Sequence, residues 1–221
     1  MTYVYMKVLE SAPGRYDRGM AILTLGRLAK AHRDIAERIE PGWRVLDIGF
    51  GTGSLAVLIA RCGAQVVGID ISAPMLDVAI QKTRQAGVKD SVTLREMGAV
   101  ELDTAFDDAT FDAVVSSLTF SELSDDEAAY TLRHCHRILK PGGLLMVADE
   151  ILPDSLGGRI LTWLFRLPFS ALTFVLTQNT TRRVAALERR IAEAGFQVIE
   201  VKKYLLGTLR TIVAKARDET C

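Results

Sequence analysis

A glycine-rich segment with one acidic residue, Asp47-Ile48-Gly49-Phe50-Gly51-Thr52-Gly53, has the spacing in this chain that best fits ligand binding. Glycines let the backbone turn tightly, and they let a ligand approach it without meeting a Cβ atom. A dinucleotide-binding turn has its third glycine or alanine three positions after the second, and that position here is Ser54. The glycine stands one position earlier, at Gly53, so the spacing argues against a nicotinamide dinucleotide.

Two acidic side chains at the ends of apolar runs could supply the polar contacts of such a ligand. Asp47 stands beside the glycines and could bind a cationic ammonium group, directly or through water. Asp70 ends the apolar run 65–70, where a carboxylate can accept hydrogen bonds from both hydroxyls of a ribose. The structural alternatives are a loop cap for Asp47 and a helix-start role for Asp70. The combination of both acids with three glycines favours the binding interpretation.

Short apolar runs alternate with helical patterns and so predict the elements that position these residues. Strands are predicted at 44–48, 65–70, 92–96, 111–118, 144–148, 196–204 and 208–214. Helices are predicted at 25–39, at 54–62, from the cap Ser72 to Gly87, from the capping box Ser124–Glu127 to Pro141, and before Gly195. This order predicts an α/β fold with a mostly parallel sheet, helices on both faces and a C-terminal antiparallel hairpin. Ligands of such sheets bind at the carboxyl ends of the strands, where the strand order reverses.

The helix predicted at 25–39 carries one apolar stripe. Its members are Leu25, Leu28, Ala29, His32, Ile35, Ala36 and Ile39. The spacing of three and four residues is that of one helical face, which predicts a buried stripe.

Composition argues against several classes of function. Twenty-seven basic and 27 acidic residues give a formal charge of zero, so a nucleic-acid partner is not expected. The start of the chain has no basic leader followed by an apolar core, which favours a cytoplasmic protein. The length of 221 residues favours a single domain that spans residues 1–221.

Cysteine and histidine spacing predicts no metal site. The three cysteines are widely spaced and odd in number, which is typical of reduced thiols. His134 and His136 stand two positions apart on a predicted helix, so they face different directions and cannot chelate one metal.

Four segments, 45–53, 68–70, 111–115 and 139–143, together resemble the class I S-adenosylmethionine-dependent methyltransferases. The resemblance implies a Rossmann-like, seven-stranded sheet and S-adenosylmethionine as cofactor. It implies that Asp47 and the glycines surround the methionine end of the cofactor and that Asp70 binds the ribose. The other implied cofactor contacts are Ile71 and Met75 beside the adenine, Gly98, Ala99 and Val100 along the base, and Ser116 to Leu118 near the sulfonium.

Two departures from the family pattern concern the cofactor. Many relatives carry an aspartate that accepts a hydrogen bond from the adenine amino group. This chain has Gly98 at that position, so contacts with the backbone would have to bind the adenine instead. Phe50 stands where relatives often have cysteine or alanine.

Two narrower resemblances concern the N-terminal region. Segments 6–17, 23–27 and 177–181 resemble methyltransferases associated with corrinoid proteins, a grouping that implies no defined substrate. The segment around Tyr16-Asp17 also resembles the first helix of quinone methyltransferases. Both resemblances imply that Tyr16 lies against the carboxylate end of the cofactor.

The acceptor is a small molecule whose identity the sequence leaves open. Residues 1–40, as a helical lid, and the apolar insertion 151–180 are expected to build its pocket. Arg166 and Pro168 interrupt the apolar stretch 160–177, so its uninterrupted part is too short to span a bilayer. A buried helix pair joined at Pro168 is favoured, and the alternatives are a cap over an apolar pocket or a segment at a membrane surface. An oxygen or carbon acceptor would need a base. The candidates are Glu122, Glu150, Tyr3, Tyr5 and Tyr16, each with a structural alternative.

Three interpretations stay open at this stage. The first is a small-molecule methyltransferase, whose acceptor could be a lipid or a quinone at a membrane surface. The second is a non-catalytic module that keeps the fold and serves a partner such as a corrinoid protein, and Gly98 favours it. The third is a nucleotide-dependent oxidoreductase, which the glycine spacing disfavours.

Overall fold

The computed structural model describes residues 13–150 and 187–217. The predictions for Tyr3, Tyr5, the corrinoid-like segment 177–181 and the insertion 151–180 lie outside these residues. Among the described residues, no helix is long and apolar enough to cross a membrane.

Seven strands form one sheet at the centre of the molecule. They are β1 (Arg44–Ile48), β2 (Gln65–Asp70), β3 (Val92–Glu96), β4 (Phe111–Ser117), β5 (Leu139–Glu150), β6 (Phe196–Tyr204) and β7 (Leu209–Ala216). The order across the sheet is β3-β2-β1-β4-β5-β7-β6, with β1 to β5 parallel. β7 runs antiparallel to β5 and β6. The predicted fold class is confirmed, and the strand order reverses between β1 and β4.

Helices cover both faces of the sheet. They are α1 (Pro13–Leu23), α2 (Arg27–Ala36), α3 (Ser54–Arg61), α4 (Ala73–Gln85), α5 (Leu102–Ala105), α6 (Asp125–Ile138) and α7 (Leu187–Glu193). One apolar cluster joins α1, α2 and α3 to one face, through Val45 of β1 and Val115 of β4. The other joins α6 and α7 to the opposite face, through Leu46 and Val114. Side chains alternate between faces along a strand, so β1 and β4 contribute to both clusters.

The N-terminal helix differs from its prediction. A turn separates α1 from α2, because Leu25 and Gly26 adopt positive φ values of 48° and 70°. Leu25 is 76% exposed and Ala29 is also exposed, so the buried stripe begins at Leu28. The 3.6-residue period continues across the turn, which is why the pattern alone predicted one helix.

Two smaller predictions also need correction. β5 begins at Leu139 and runs through Pro141-Gly142-Gly143, because the register against β4 shifts between Phe111 and Ala113. The Ser72 side chain makes no capping hydrogen bond to α4. The predicted capping box of α6 is confirmed, since Ser124 and Glu127 bond each other's backbone N–H groups.

Candidate functional site

A cavity of about 440 Å³ opens at the carboxyl ends of β1, β2 and β4, where the strand order reverses. It is lined by Tyr16, Ile48, Gly49, Gly51, Ile69, Asp70, Ile71, Ser72, Met75, Met97, Ala99, Ser117, Leu118, Thr119, Glu122, Leu123 and Glu127. A smaller cavity of about 140 Å³ adjoins it and shares Tyr16, Gly49, Gly51, Ser117 and Leu118. The volume and position suit a nucleoside-sized ligand.

The first two glycines of the glycine-rich turn have different roles. Gly49 has a φ of 69°, and a Cβ built on it would lie 2.0 Å from Thr119 Oγ1, so packing excludes a side chain there. Gly51 has a φ of 54°, and a Cβ there would meet no atom within 4 Å. Gly51 therefore leaves open space on the wall of both cavities, where a ligand can reach the backbone.

Gly53 serves packing between helices. A Cβ on this glycine would lie 3.1 Å from the Cβ of Ala79, so its small size lets the start of α3 approach α4. Gly53 is not among the residues that line either cavity.

Asp70 joins the end of β2 to the glycine-rich turn. Its Oδ2 accepts a hydrogen bond from the Gly51 N–H at 2.8 Å, and its Oδ1 accepts one from the Ser72 N–H at 2.9 Å. These bonds fix the orientation of a carboxylate in the wall of the larger cavity. A carboxylate can accept about four hydrogen bonds, so holding the turn is compatible with ligand binding.

Asp47 is a buried carboxylate without hydrogen-bond partners among the described residues. It is 1% exposed, and neither of its side-chain oxygens accepts a hydrogen bond there. Burial, together with the negative charge of Asp70, raises the pKa of Asp47 to about 7. Asp47 lines the smaller cavity, so a cationic group bound in that cavity would compensate the buried charge.

The walls around the larger cavity are apolar on the side of β2 and β3. Ile69, Ile71, Met75, Met97 and Ala99 form this part of the lining. Gly98 and Val100, which were predicted beside them, are not among the lining residues. The Gly98 N–H donates to Glu101 Oε1 at 2.8 Å, and Val100 is 53% exposed.

The end of β4 supplies a second polar wall. Ser117 and Leu118 line both cavities, whereas Ser116 is fully buried and donates to the Ile48 carbonyl at 3.0 Å. Ser117 Oγ lies 2.8 Å from His32 Nε2. Burial lowers the pKa of His32 to about 4, so its imidazole is neutral near pH 7. Sequence reasoning assigned His32 only to a packing stripe and missed this contact.

The candidate bases occupy two different environments. Glu122 lines the larger cavity, whereas Glu150 ends β5 and is not among the lining residues.

Asp149, which sequence reasoning missed, is fully buried and accepts hydrogen bonds from the backbone N–H groups of Ser121 and Glu150. Burial raises the pKa of Asp149 to about 7. Side chains alternate between the two faces along β5, so the sequence could have indicated that Asp149 lies on the same buried face as Leu145 and Val147.

A polar network attaches α1 to the glycine-rich turn. Lys82 Nζ of α4 forms an ion pair with Asp17 of α1 at 2.5 Å and donates to Thr52 and Ser54. The hydroxyls of Thr52 and Ser54 also donate to Asp17 Oδ1. Burial alone would raise the pKa of Asp17, but the hydrogen bonds from Lys82 and Thr52 lower it below its usual value. Tyr16, the neighbour of Asp17, thereby reaches both cavities.

In the described ranges 13–150 and 187–217, no group of three or more histidine, cysteine or acidic side chains could hold a metal ion. The residues fit S-adenosylmethionine instead. The buried carboxylate of Asp47, which has no hydrogen-bond partner among residues 13–150 and 187–217, suits its ammonium group. The open space at Gly51 suits a ligand that approaches the backbone. A sheet of this order with such a cavity at its strand reversal defines an α/β protein that binds a nucleoside-like cofactor.

Comparison with known proteins identifies the family. Residues 45–143 match a family described as a methyltransferase domain. The chain is 31% identical over 210 residues to the demethylmenaquinone methyltransferase of Lactiplantibacillus plantarum, covering 87% of each chain. It is 30% identical to an uncharacterised methyltransferase of Synechocystis, covering 89% of this chain and 88% of the relative. This protein therefore belongs to the class I S-adenosylmethionine-dependent methyltransferases, and it is an enzyme of that class.

A solved structure shows the same fold. Geranyl diphosphate methyltransferase in complex with S-adenosylmethionine matches with a TM-score of 0.67 at 18% identity, covering 91% of this chain and 90% of that chain. The predicted family, enzyme class and cofactor are confirmed. The predicted contacts of individual residues with the cofactor stay predictions.

Proposed function

We propose that this methyltransferase acts on a ring carbon of a quinol of the demethylmenaquinone type. The observation that carries the proposal is the likeness to the Lactiplantibacillus plantarum demethylmenaquinone methyltransferase over 87% of each chain. That span extends beyond residues 45–143, which match the methyltransferase domain family, and this wider likeness supports a similar acceptor. The apolar character of residues 160–177 is compatible with an acceptor that carries an apolar tail.

Asp47, Asp70 and Gly51 would hold the cofactor. Asp47 would receive its ammonium group, because a buried carboxylate gains most from a cationic partner. Asp70 would accept from the ribose hydroxyls while it holds the turn through the Gly51 N–H. When bound, S-adenosylmethionine supplies an electrophilic methyl group on a sulfonium sulfur. The residues around it act by positioning and by excluding water.

Glu122 would serve as the proton acceptor for the quinol. In the methylated product a carbon–carbon bond replaces the methyl–sulfur bond of the sulfonium, whose electron pair stays on the sulfur of the released thioether. The ring carbon must also give up one proton, so a base near the acceptor assists the step. Glu122 lines the larger cavity, as do Ser117 and Thr119. Glu127, which also lines the cavity, is held in the capping box of α6 and is the weaker candidate.

A transfer assay with cofactor labelled in the methyl group tests the acceptor class. The purified protein is incubated with a reduced demethylmenaquinone that has a short prenyl tail, and the label is counted after extraction into organic solvent. We expect label in the methylated quinone, and E122Q should lower kcat while cofactor binding is kept. Asp70→Ala should lose both cofactor binding and transfer.

A failure to label the quinol would test the acceptor proposal separately from the family assignment. If the protein binds S-adenosylmethionine but labels no quinol, the acceptor proposal fails and the family assignment stands. Labelling that requires a corrinoid protein would instead support the narrower resemblance of segments 6–17 and 177–181, which stays a prediction.

A further inference from the structure

The turn between α1 and α2 exposes two large apolar side chains. Ile22 is 74% exposed and Leu25 is 76% exposed. Ile71 is equally exposed but lines the larger cavity, whereas neither Ile22 nor Leu25 lines either cavity. Single exposed apolar residues are ordinary, but two at the tip of one hydrogen-bonded turn form a local apolar projection.

Backbone hydrogen bonds hold this projection outward. The Leu25 N–H donates to the Ile22 carbonyl at 3.2 Å, and the Gly26 N–H donates to the Ala21 carbonyl at 2.8 Å. Leu25 has a φ of 48°, a left-handed conformation that costs a residue with a Cβ atom about 1–2 kcal/mol. Glycine would adopt this conformation more easily. The chain therefore keeps a strained and exposed leucine where packing requires no side chain, which points to a functional contact.

Basic side chains surround the two apolar ones. Arg15 and Arg18 are exposed on α1, and with Ile22 they follow a spacing of three and four residues, which places them on one helical face. Arg27, Lys30 and Arg33 are exposed on α2.

The surface of the α1–α2 pair is therefore positively charged. The acidic residues of α1 and α2 are Asp17, whose charge is balanced by Lys82, and Asp34, which pairs with Lys30 and Lys202. The excess positive charge is that of the four exposed arginines, Arg15, Arg18, Arg27 and Arg33. The whole chain has zero formal charge, so the positive charge is a local property of this surface.

We propose that the α1–α2 turn docks on the surface of a bilayer that contains anionic lipids. Ile22 and Leu25 would enter the interfacial region, and the surrounding arginines would contact lipid phosphates. This combination of an apolar edge with flanking cations is the arrangement that holds a helix in a membrane interface. The sequence leaves open whether residues 151–180 cap a pocket or contact a membrane or a partner, whereas the α1–α2 turn consists of described residues.

Docking in this orientation would bring the smaller cavity to the membrane. Ala21 and Ala29, which are exposed beside the turn, also line that cavity. The docking proposal does not require that the acceptor is a quinol, because it concerns the surface and not the reaction.

Vesicle flotation tests the proposal without measuring methyl transfer. The full chain is mixed with vesicles of phosphatidylcholine and phosphatidylglycerol, or with vesicles of phosphatidylcholine alone, at low and high salt. We expect binding to the anionic vesicles that weakens at high salt. Each of the substitutions Arg18→Gln and Arg27→Gln should lower the partition coefficient about fivefold at low salt.

A double variant tests the apolar part. Ile22→Gln keeps a good helix former in α1, and Leu25→Gly relieves the positive φ, so the double variant should fold and bind cofactor as the native chain does. We expect its partition coefficient to fall at least about tenfold. Ile199→Gln is the matched control, because Ile199 is 51% exposed on β6 and should leave binding unchanged.

Three outcomes would overturn the proposal. One is equal binding of the double variant and the native chain to anionic vesicles. Another is binding that does not depend on phosphatidylglycerol. The third is a native dimer, seen by light scattering, that the double variant converts to a monomer, since the turn would then be an interface between two copies of the chain.

Discussion

Asp47 should make cofactor binding depend on pH. Burial and Asp70 raise the pKa of its carboxyl group to about 7, and a cationic ligand requires the ionised form. Below that pKa, a proton must leave before the cation binds, so affinity should rise with pH and level off above about pH 8. At about pH 6 the affinity should be about tenfold below the plateau. Calorimetric titration with S-adenosylhomocysteine, which carries the same ammonium group, between about pH 5.5 and 8.5 measures this, and a flat profile would exclude Asp47 as the ligand.

Asp47→Asn provides the control and has an effect of its own on stability. The raised pKa means that the unliganded fold holds a proton on Asp47 between pH 3.8 and about 7, where the unfolded chain has released it. The contribution of Asp47 to stability therefore falls as pH rises through this window. Above it, Asp47→Asn should melt at a higher temperature than the native chain without ligand, while its cofactor binding is weak and independent of pH.

Gly51 should be required for the ligand more than for the fold. Gly51 and Gly87 both have positive φ, and a Cβ on either would meet no atom within 4 Å. Gly51→Ala and Gly87→Ala should therefore lower the free energy of unfolding by a similar amount, about 1 kcal/mol. Of these two glycines, Gly51 lines the cavities and Gly87 does not, so Gly51→Ala alone of the two variants should weaken cofactor binding, by at least about tenfold. Equal binding by the two variants would show that the ligand does not approach this backbone.

At the scale of elements, the attachment of α1 should control how long the cofactor stays bound. Lys82→Met removes the ion pair with Asp17 and the bonds to Thr52 and Ser54. The pair is partly exposed, so the free energy of unfolding should fall by about 1 kcal/mol or less. The dissociation rate of the cofactor should rise several-fold in stopped-flow measurements, because α1 carries Tyr16 across both cavities.

Lys89→Met is the matched control for that experiment. Lys89 is 65% exposed and lies 4.0 Å from Asp90, away from α1. Its substitution should change neither the melting temperature nor the dissociation rate. If both lysine variants release cofactor at the native rate, α1 contributes no barrier to release.

Elements with a short-range signal were predictable from the sequence, and contacts set by tertiary structure were not. The bounds of β1, β2, β3 and β6 follow from short apolar runs and are confirmed. The break before α2 was missed because Gly26 and Leu25 interrupt the helix without interrupting its apolar period. The start of β5 was missed because the register with β4, and not the local sequence, pairs Leu139 with Phe111.

The same distinction applies to the site. Glycines and acids that follow strands are visible in the sequence because the sheet brings strand ends together, and Asp70 and Gly51 do meet in a hydrogen bond. His32 and Ser117 are 85 positions apart and on different kinds of element, so no spacing rule connects them. The raised pKa of Asp149 likewise depends on burial beneath neighbouring elements.

At the scale of the whole molecule, the sheet should make folding and cofactor binding one cooperative event. Adjacent residues of β1, Val45 and Leu46, belong to the two apolar clusters on opposite faces, so neither cluster can form without the strand that carries Asp47. We therefore expect one thermal transition for the chain. A ligand at about one hundred times its dissociation constant stabilises the fold by about 2.7 kcal/mol, which corresponds to a rise in melting temperature of roughly 5 to 10 °C. Scanning calorimetry with S-adenosylhomocysteine should show a single peak that moves by this amount, and NAD at the same concentration should not move it. Two peaks, of which one moves, would mean that the two faces of the sheet unfold separately and that the single-domain prediction is wrong.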